Sequence, residues 1–457
     1  MDILIKNGLI TTAEGSYPAD VAIDGEIISQ IGQDLSAGEG ARVIDLKGAR
    51  LMPGGIDAHT HFDMELGAAR TSDDFHTGTR AALAGGVTTI IDFAEQDAGR
   101  PLAEGLCAWR AKAGGRSFCD YAFHMTINHW DDSLPGQMAE MVQQGLTSFK
   151  VYTAYRGMRI SDQAIYQVLT EARKLGALVL VHCENGDLIE ALTEKYLAEA
   201  PENPAGHARS RPAELEAEAV SRVIDIARLA GTGVYIVHLS SAQSLERVRY
   251  HRQNGAEVLV ETCPQYLLLD ETRYDGPEAL NYIMSPPLRR KADNEALWTA
   301  LKNSEIQVVS TDHCSFARSG LKNSRVKFTD LPGGIPSVEH RLPLLYSYGV
   351  KTGRLSPEKF VELVSTNPAK IFGLFPQKGC IAPGGQADLT VLRELPPEAG
   401  LTISATSQFQ SVDYTPYEGF PLAVRVDKVF LRGQCVFDQG AFQADPAGRF
   451  LPRSPRR

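Results

Sequence analysis

LTSFKVYTAYRGMRISDQAIYQVLTEARKLGALVLVH, residues 146–182, holds two short apolar runs, 146–151 and 177–182, on either side of a stretch with helical periodicity. Each run has the length of a buried strand rather than that of a helix. Strand, helix and strand in that order make a parallel βα unit, because a parallel neighbour is reached only by a crossover long enough to hold a helix. The alternation continues in both directions. VTTIID (87–92) and YAFHM (121–125) precede it, and GVYIVH (233–238), AEVLVE (256–261) and IQVVSTD (306–312) follow. RPAELEAEAVSRVIDIARLAG carries Pro212 near its start and Gly231 just past its end, while Ser356 and Pro357 supply the N-cap and first turn of another helix. Repeated βα units over 54–373 predict an α/β chain built on a (β/α)8 barrel of the TIM type.

Both flanks read differently. Residues 1–53 are short strands with turn signals, among them DILIKNGLI and VAIDGEIISQI around Asp24-Gly25. Residues 374–440 return to strands, with QADLTVLRE and VDKVFLRGQCVFDQGAF around a turn at Arg432-Gly433. The economical arrangement is one small β-sandwich built from both ends of the chain. The tail, 441–457, is basic and contains proline, which fits a surface or subunit-contact arm better than a core element.

With 457 residues, 43% of them hydrophobic, the chain can bury a full barrel core. A formal net charge of −10 provides no basic field for a phosphate backbone, so a small-molecule substrate is expected and nucleic acid is not. No apolar stretch is long enough to span a bilayer, and the N-terminus, broken by Asp2, Lys6 and Asn7, lacks the core of a signal peptide. Seven scattered cysteines without a C-x-x-C pair suit reduced thiols in the cytoplasm.

The chemistry lies at the strand ends. His59 and His61 stand two apart, so on an extended segment both imidazoles face the same way, as two ligands of one metal ion require. Taken alone, the spacing is equally met by two histidines that happen to fall near a strand end. His182, His238 and Asp312, however, each close an apolar run. The C-terminal strand ends of a βα barrel converge on one mouth, which gathers these five residues around a common cavity. Independent core histidines have no reason to recur there. Lys150 sits inside LTSFKVY, where burial demands compensation. A salt bridge to a carboxylate would supply it; alternatively, desolvation yields a neutral amine able to add carbon dioxide and become a carbamate. From the residues alone, the salt bridge is the simpler of the two.

GGIDAHTHFDM (54–64), SFKVYTAY (148–155), VHCENGD (181–187), YIVHLSSAQS (235–244), ETCPQYLLLD (261–270), MSPPLR (284–289) and STDHCSF (310–316) together resemble the hydantoinase and dihydropyrimidinase family of amidohydrolases, with bacterial D-hydantoinases and phenylhydantoinases as the nearest likeness. The resemblance implies that His59, His61 and Asp312 bind a first divalent metal ion and His182 and His238 a second, with Lys150, carboxylated on its side-chain nitrogen, bridging the two. Zinc is the leading candidate for both. It further implies that Tyr155 donates to the oxyanion, that the backbone around Ser285 and Gly333 grips the ring amide, and that the enzyme is a homotetramer. The expected reaction is the opening of a hydantoin or dihydropyrimidine ring by a water activated between two metal ions, with Asp312 as general base and then general acid. The product is an N-carbamoyl amino acid.

Two positions depart from the family pattern. Gly333 stands where an asparagine is usual, and Arg159 stands where related hydantoinases tend to carry an aromatic residue. The pocket for the ring substituent is expected from Met64, Leu66, Phe93 and Tyr152, an apolar set, with Arg159 opening it to polar or acidic groups. Phe62 and Asp63 after His61, in place of an arginine, disfavour dihydroorotase. Allantoinase, which shares the metal set, is the runner-up. A non-catalytic dihydropyrimidinase-related interaction protein is the alternative from another class, and it gives no chemical reason for the filled ligand positions.

Overall fold

Eight strands that bury almost every residue form a continuous parallel sheet in the order Val308–Val309, Val258–Thr262, Val234–Ile236, Leu178–His182, Ser148–Tyr152, Asp120–Thr126, Val87–Ala94 and Gly55–Thr60. Their burial on both faces explains why they read as unbroken apolar runs rather than as alternation. The computed structural model describes residues 1–67, 69–97, 99–319 and 327–455. Helices pack outside the sheet. Ala213–Ala230, with Pro212 at its N-cap and Gly231 left-handed at φ 69°, buries Val220, Val223 and Ile224 in the core that also holds Val179 and Ile236.

The first and last strands close the barrel. Thr60 bridges His313 in parallel, and His61 donates its N–H to the His313 carbonyl at 2.8 Å. Below that bridge the Asp57 carboxylate accepts from the Thr311 hydroxyl at 2.7 Å and from its N–H at 3.1 Å. The buried Arg341 donates from one nitrogen to the carbonyls of Ile56 at 2.9 Å and Val309 at 2.8 Å.

The chain ends share a second, nine-stranded sheet. Its join is the antiparallel pairing of Arg50–Pro53 with Leu389–Glu394, and its own core includes Ile5, Val21, Leu51, Leu389 and Phe430. Arg432 and Gly433, at φ 46° and 80°, make the tight turn between Val424–Leu431 and Gln434–Asp438 that their sequence predicts. Among the described residues no helix is long and apolar enough to cross a membrane.

The tail lies at the surface, as expected, and apart from Arg453 its described residues are exposed or half-buried. Its described part, up to residue 455, runs along the floor of the barrel at the N-terminal ends of the strands. Backbone hydrogen bonds link Gly448 to Ser117, Leu451 to Tyr121 and Arg453 to Gly145. Phe450 stacks on Phe123 at 5.8 Å, and the buried Arg453 guanidinium donates to the Phe123 carbonyl and to Ser148. Basic composition signalled exposure, but a guanidinium can also satisfy strand-end carbonyls that lack a ladder partner. Gly448 permits the close approach, since a Cβ there would collide with the Cys119 carbonyl. Gly448→Val should therefore lift the tail, cost about 1–3 kcal/mol and make the last residues sensitive to protease; an unchanged unfolding midpoint and digestion pattern would show that the tail does not seal the floor.

Candidate active site

At the opposite, C-terminal mouth lies a cavity of 790 Å³ lined by His59, His61, Lys150, His182, His238 and Asp312. His59 is inside strand Gly55–Thr60 and Lys150 inside Ser148–Tyr152, while His182 ends Leu178–His182. His238 and Asp312 lie beyond the ends of Val234–Ile236 and Val308–Val309, at φ 38° and 53°. Their runs therefore stop earlier than the sequence suggests, and a left-handed residue turns each chain into the mouth. Tyr155 shares this conformation at φ 71°. A left-handed backbone at a residue other than glycine is costly and collects at functional sites.

His59, His61 and Asp312 have ligand atoms within 4.8 Å of one another, an arrangement that could hold a metal ion. Asp312 Oδ1 lies 3.1 Å from His59 Nε2 and 3.2 Å from His61 Nε2. His59 Nδ1 meets the buried Glu261 carboxylate at 2.5 Å, so it carries a proton and Nε2 is left for the site. His182 is arranged in the same way: Nε2 meets Glu184 at 2.8 Å, and Nδ1 faces His238 Nε2 at 2.9 Å. Nδ1 of His61 and of His238 is buried without a hydrogen-bond partner among the described residues.

The electrostatics suit a cation. Burial pushes His61 down to about 4 and also lowers His182 and His238, keeping all three rings in the neutral form that ligates metals. Burial works against a charged His59 as well, but the Glu261 and Asp312 carboxylates outweigh it and raise that ring to about 9. Asp312 is held well below the usual carboxylate range because the attraction and hydrogen bonding of the neighbouring histidines overcome its burial. The donor set of imidazoles and a carboxylate thus fits a divalent ion.

Lys150 does not form the expected salt bridge. It is 1% exposed, and among the described residues no hydrogen bond or ion pair reaches its Nζ, which lies 5.0 Å from the ring centres of both Phe93 and Tyr152. Desolvation lowers it to about 8. The result is an amine that is partly neutral near physiological pH, inside a cluster of metal-ligating groups.

Met64, Leu66, Tyr152, Tyr155, Ser285 and Gly333 line the cavity. Phe93 does not. It lies beneath the histidines, stacked on the His61 ring at 4.9 Å, so it supports the ligands rather than lining a substituent pocket. Nor does Arg159, which pairs with Asp187 at 2.7 Å and Glu190 at 3.4 Å outside the cavity wall. Position in the sequence could not tell that Asp187 and Glu190, on helix Gly186–Glu199, would hold the guanidinium outward in the room that Gly186 leaves. At the unusual glycine pair, Gly334 is the residue the fold requires: its φ is 154°, and a Cβ would strike the Cys314 carbonyl.

Sequence reasoning missed Glu261 and Glu184, which orient His59 and His182. The signal for Glu261 was present, since it closes AEVLVE as His182 closes ALVLVH. His207, also on the cavity wall, donates to the Met284 carbonyl at 2.7 Å and carried no such signal.

The model of the Amidohydrolase family matches residues 50–436. The chain is 44% identical over 460 residues to a D-hydantoinase of Geobacillus stearothermophilus, covering 99% of this chain and 97% of that one. It is 42% identical over 459 residues to a D-phenylhydantoinase of Escherichia coli, covering 100% and 99%. Among solved structures, a dihydropyrimidinase from Brevibacillus agri superposes with a TM-score of 0.97 at 42% identity, covering 100% of this chain and 99% of that one. An L-hydantoinase from Arthrobacter aurescens does so at 0.90 with 28% identity, covering 99% and 100%. Full-length identity, a shared fold and a barrel mouth that gathers the ligand-type side chains agree, and the chain belongs to the amidohydrolase family, in its hydantoinase and dihydropyrimidinase branch.

Proposed function

We propose that the protein hydrolyses the ring amide of 5-substituted hydantoins or dihydropyrimidines, releasing N-carbamoyl amino acids. The observation that carries this reading is the convergence of four histidines, Asp312 and a Lys150 without an ion pair among the described residues on one cavity, in a chain 42–44% identical to enzymes named for hydantoin opening. The same convergence disfavours a non-catalytic scaffold, and the named relatives favour hydantoin over allantoin.

Two divalent ions, zinc in this reading, would be held by His59, His61 and Asp312 and by His182 and His238, with Lys150 bridging as its carbamate. When bound, they acidify a water and polarise the ring carbonyl. The chain's own residues do the rest. Asp312 Oδ1 points at the space between His59 and His61, where the first ion would be held, and the other carboxylate oxygen takes the proton of the attacking water and returns it to the leaving ring nitrogen. Tyr155, whose hydroxyl is kept protonated by burial, donates to the oxyanion. Main-chain groups at Ser285 and Gly333 orient the ring amide, while Met64, Leu66 and Tyr152 take its substituent. The same reading makes the protein a cytoplasmic homotetramer.

Metal-replete protein should open dihydrouracil, hydantoin or 5-phenylhydantoin, and Lys150→Ala should lose both that activity and bound metal. Activity confined to allantoin, or none with metal bound, would overturn the reading. Tyr155→Phe should lower kcat about 10²–10³-fold with KM little changed; an unchanged kcat would remove Tyr155 from this role. His59 also predicts a pH dependence. Its ring is protonated below about 9 in the metal-free protein, so binding a cation at Nε2 must expel a proton. Metal affinity should rise by at least about tenfold per pH unit up to that value, more steeply below about 8 where Lys150 must also shed a proton, and calorimetry in buffers of different ionisation heat should detect the protons released at neutral pH. Affinity that does not change with pH would show His59 to be neutral already.

A further inference from the structure

Arg211 lies in the cavity wall, next to the two groups that the proposed mechanism uses for different purposes. Its Nη1 donates to Glu184 Oε2 at 2.6 Å, and the same oxygen meets His182 Nε2 at 2.8 Å. The guanidinium carbon also stands 5.4 Å from the centre of the Tyr155 ring, which in turn lies 4.8 Å from the His182 ring. Thr153 ties the pieces together from the backbone side: its hydroxyl donates to the His182 and Glu184 carbonyls and accepts from the Glu184 N–H at 3.0 Å. Arg289, itself buried, donates to the Arg211 carbonyl and holds that backbone in place.

From this arrangement we infer that Arg211 is a positioning residue that couples the metal-ligating orientation of His182 to the placement of the Tyr155 hydroxyl. Resting on the hydantoinase reading above, the inference adds a link between the second metal position and the oxyanion donor. A guanidinium can do two things at once. Its Nη1 fixes Glu184, which fixes the tautomer of His182 so that Nδ1 faces the site. Its central carbon lies over the Tyr155 ring, where a cation is attracted by the aromatic quadrupole. A lysine carries its charge at a single point and cannot serve both groups together.

The test compares wild type, Arg211→Gln, Tyr155→Phe and the double variant, reading metal affinity of the apo-protein by chelator competition and kcat with a hydantoin. Wild type must bind metal and open the ring; if it does not, the hydantoinase reading fails before the coupling is tested. With wild type active, Arg211→Gln should weaken the second metal by about 10–100-fold, while Tyr155→Phe should leave metal affinity unchanged. The loss of kcat caused by Arg211→Gln should be at least about fivefold smaller in the Tyr155→Phe background, because coupled residues do not act independently. Metal affinity retained in Arg211→Gln, or kcat losses that simply multiply, would overturn the inference. If Arg211→Gln does not fold, Arg211→Lys decides instead: it should keep metal affinity and lose kcat, and an unchanged kcat would overturn the coupling.

Discussion

The seam between the first and last barrel strands is the constraint on which the site depends, because it brings His59 and His61 against Asp312. Asp57 and Thr311, which are 254 residues apart, meet there through side-chain and backbone hydrogen bonds. Arg341 spans the same gap with one nitrogen between two carbonyls, and its Nε and Nη2 stay buried without hydrogen-bond partners among the described residues. Burying a guanidinium so incompletely satisfied is costly, and Asp57, 3.9 Å away, offsets part of that cost. An apolar residue could fill the space but could not hold two strands that share no regular ladder.

Around the mouth, burial acts on every ionisable group and charge neighbours decide which way each one moves. His61 has Asp312 but lies deep enough that burial prevails, whereas His59 has two carboxylates and stays charged without metal. Glu184 shows the converse, as Arg211 and His182 bring it down to about 2 against its burial. The site therefore stores an alternating pattern of charge rather than a uniform negative field, and a divalent ion replaces protons more than it neutralises excess charge.

Much of this was legible in the residues. Apolar runs of strand length that end in histidine or aspartate identified the barrel and its mouth together, since only a parallel barrel gives such residues a shared destination. The left-handed turns at His238 and Asp312 were not legible, because neither side chain advertises a positive φ as glycine does. The roles of Phe93 and Arg159 were misjudged for a related reason: adjacency in sequence says nothing about which side of a wall a side chain occupies. Glu261 was overlooked although it follows the same pattern as His182. That the tail lies flat on the barrel floor was not legible, because its composition signals a surface segment but not which surface it covers.

The tail on the barrel floor has a consequence for how the protein is made. Residues 448–453 follow the whole barrel in the chain, yet they supply the hydrogen bonds that cover strand ends formed from residues 117–148. Until they dock, the backbone groups they bond at Ser117, Tyr121 and Gly145 lack these partners. The seam likewise joins segments separated by more than half the chain, so His59 and His61 cannot meet Asp312 until every intervening βα unit has been made. The cluster of His59, His61 and Asp312 is thus a product of barrel closure, and no single βα unit carries it.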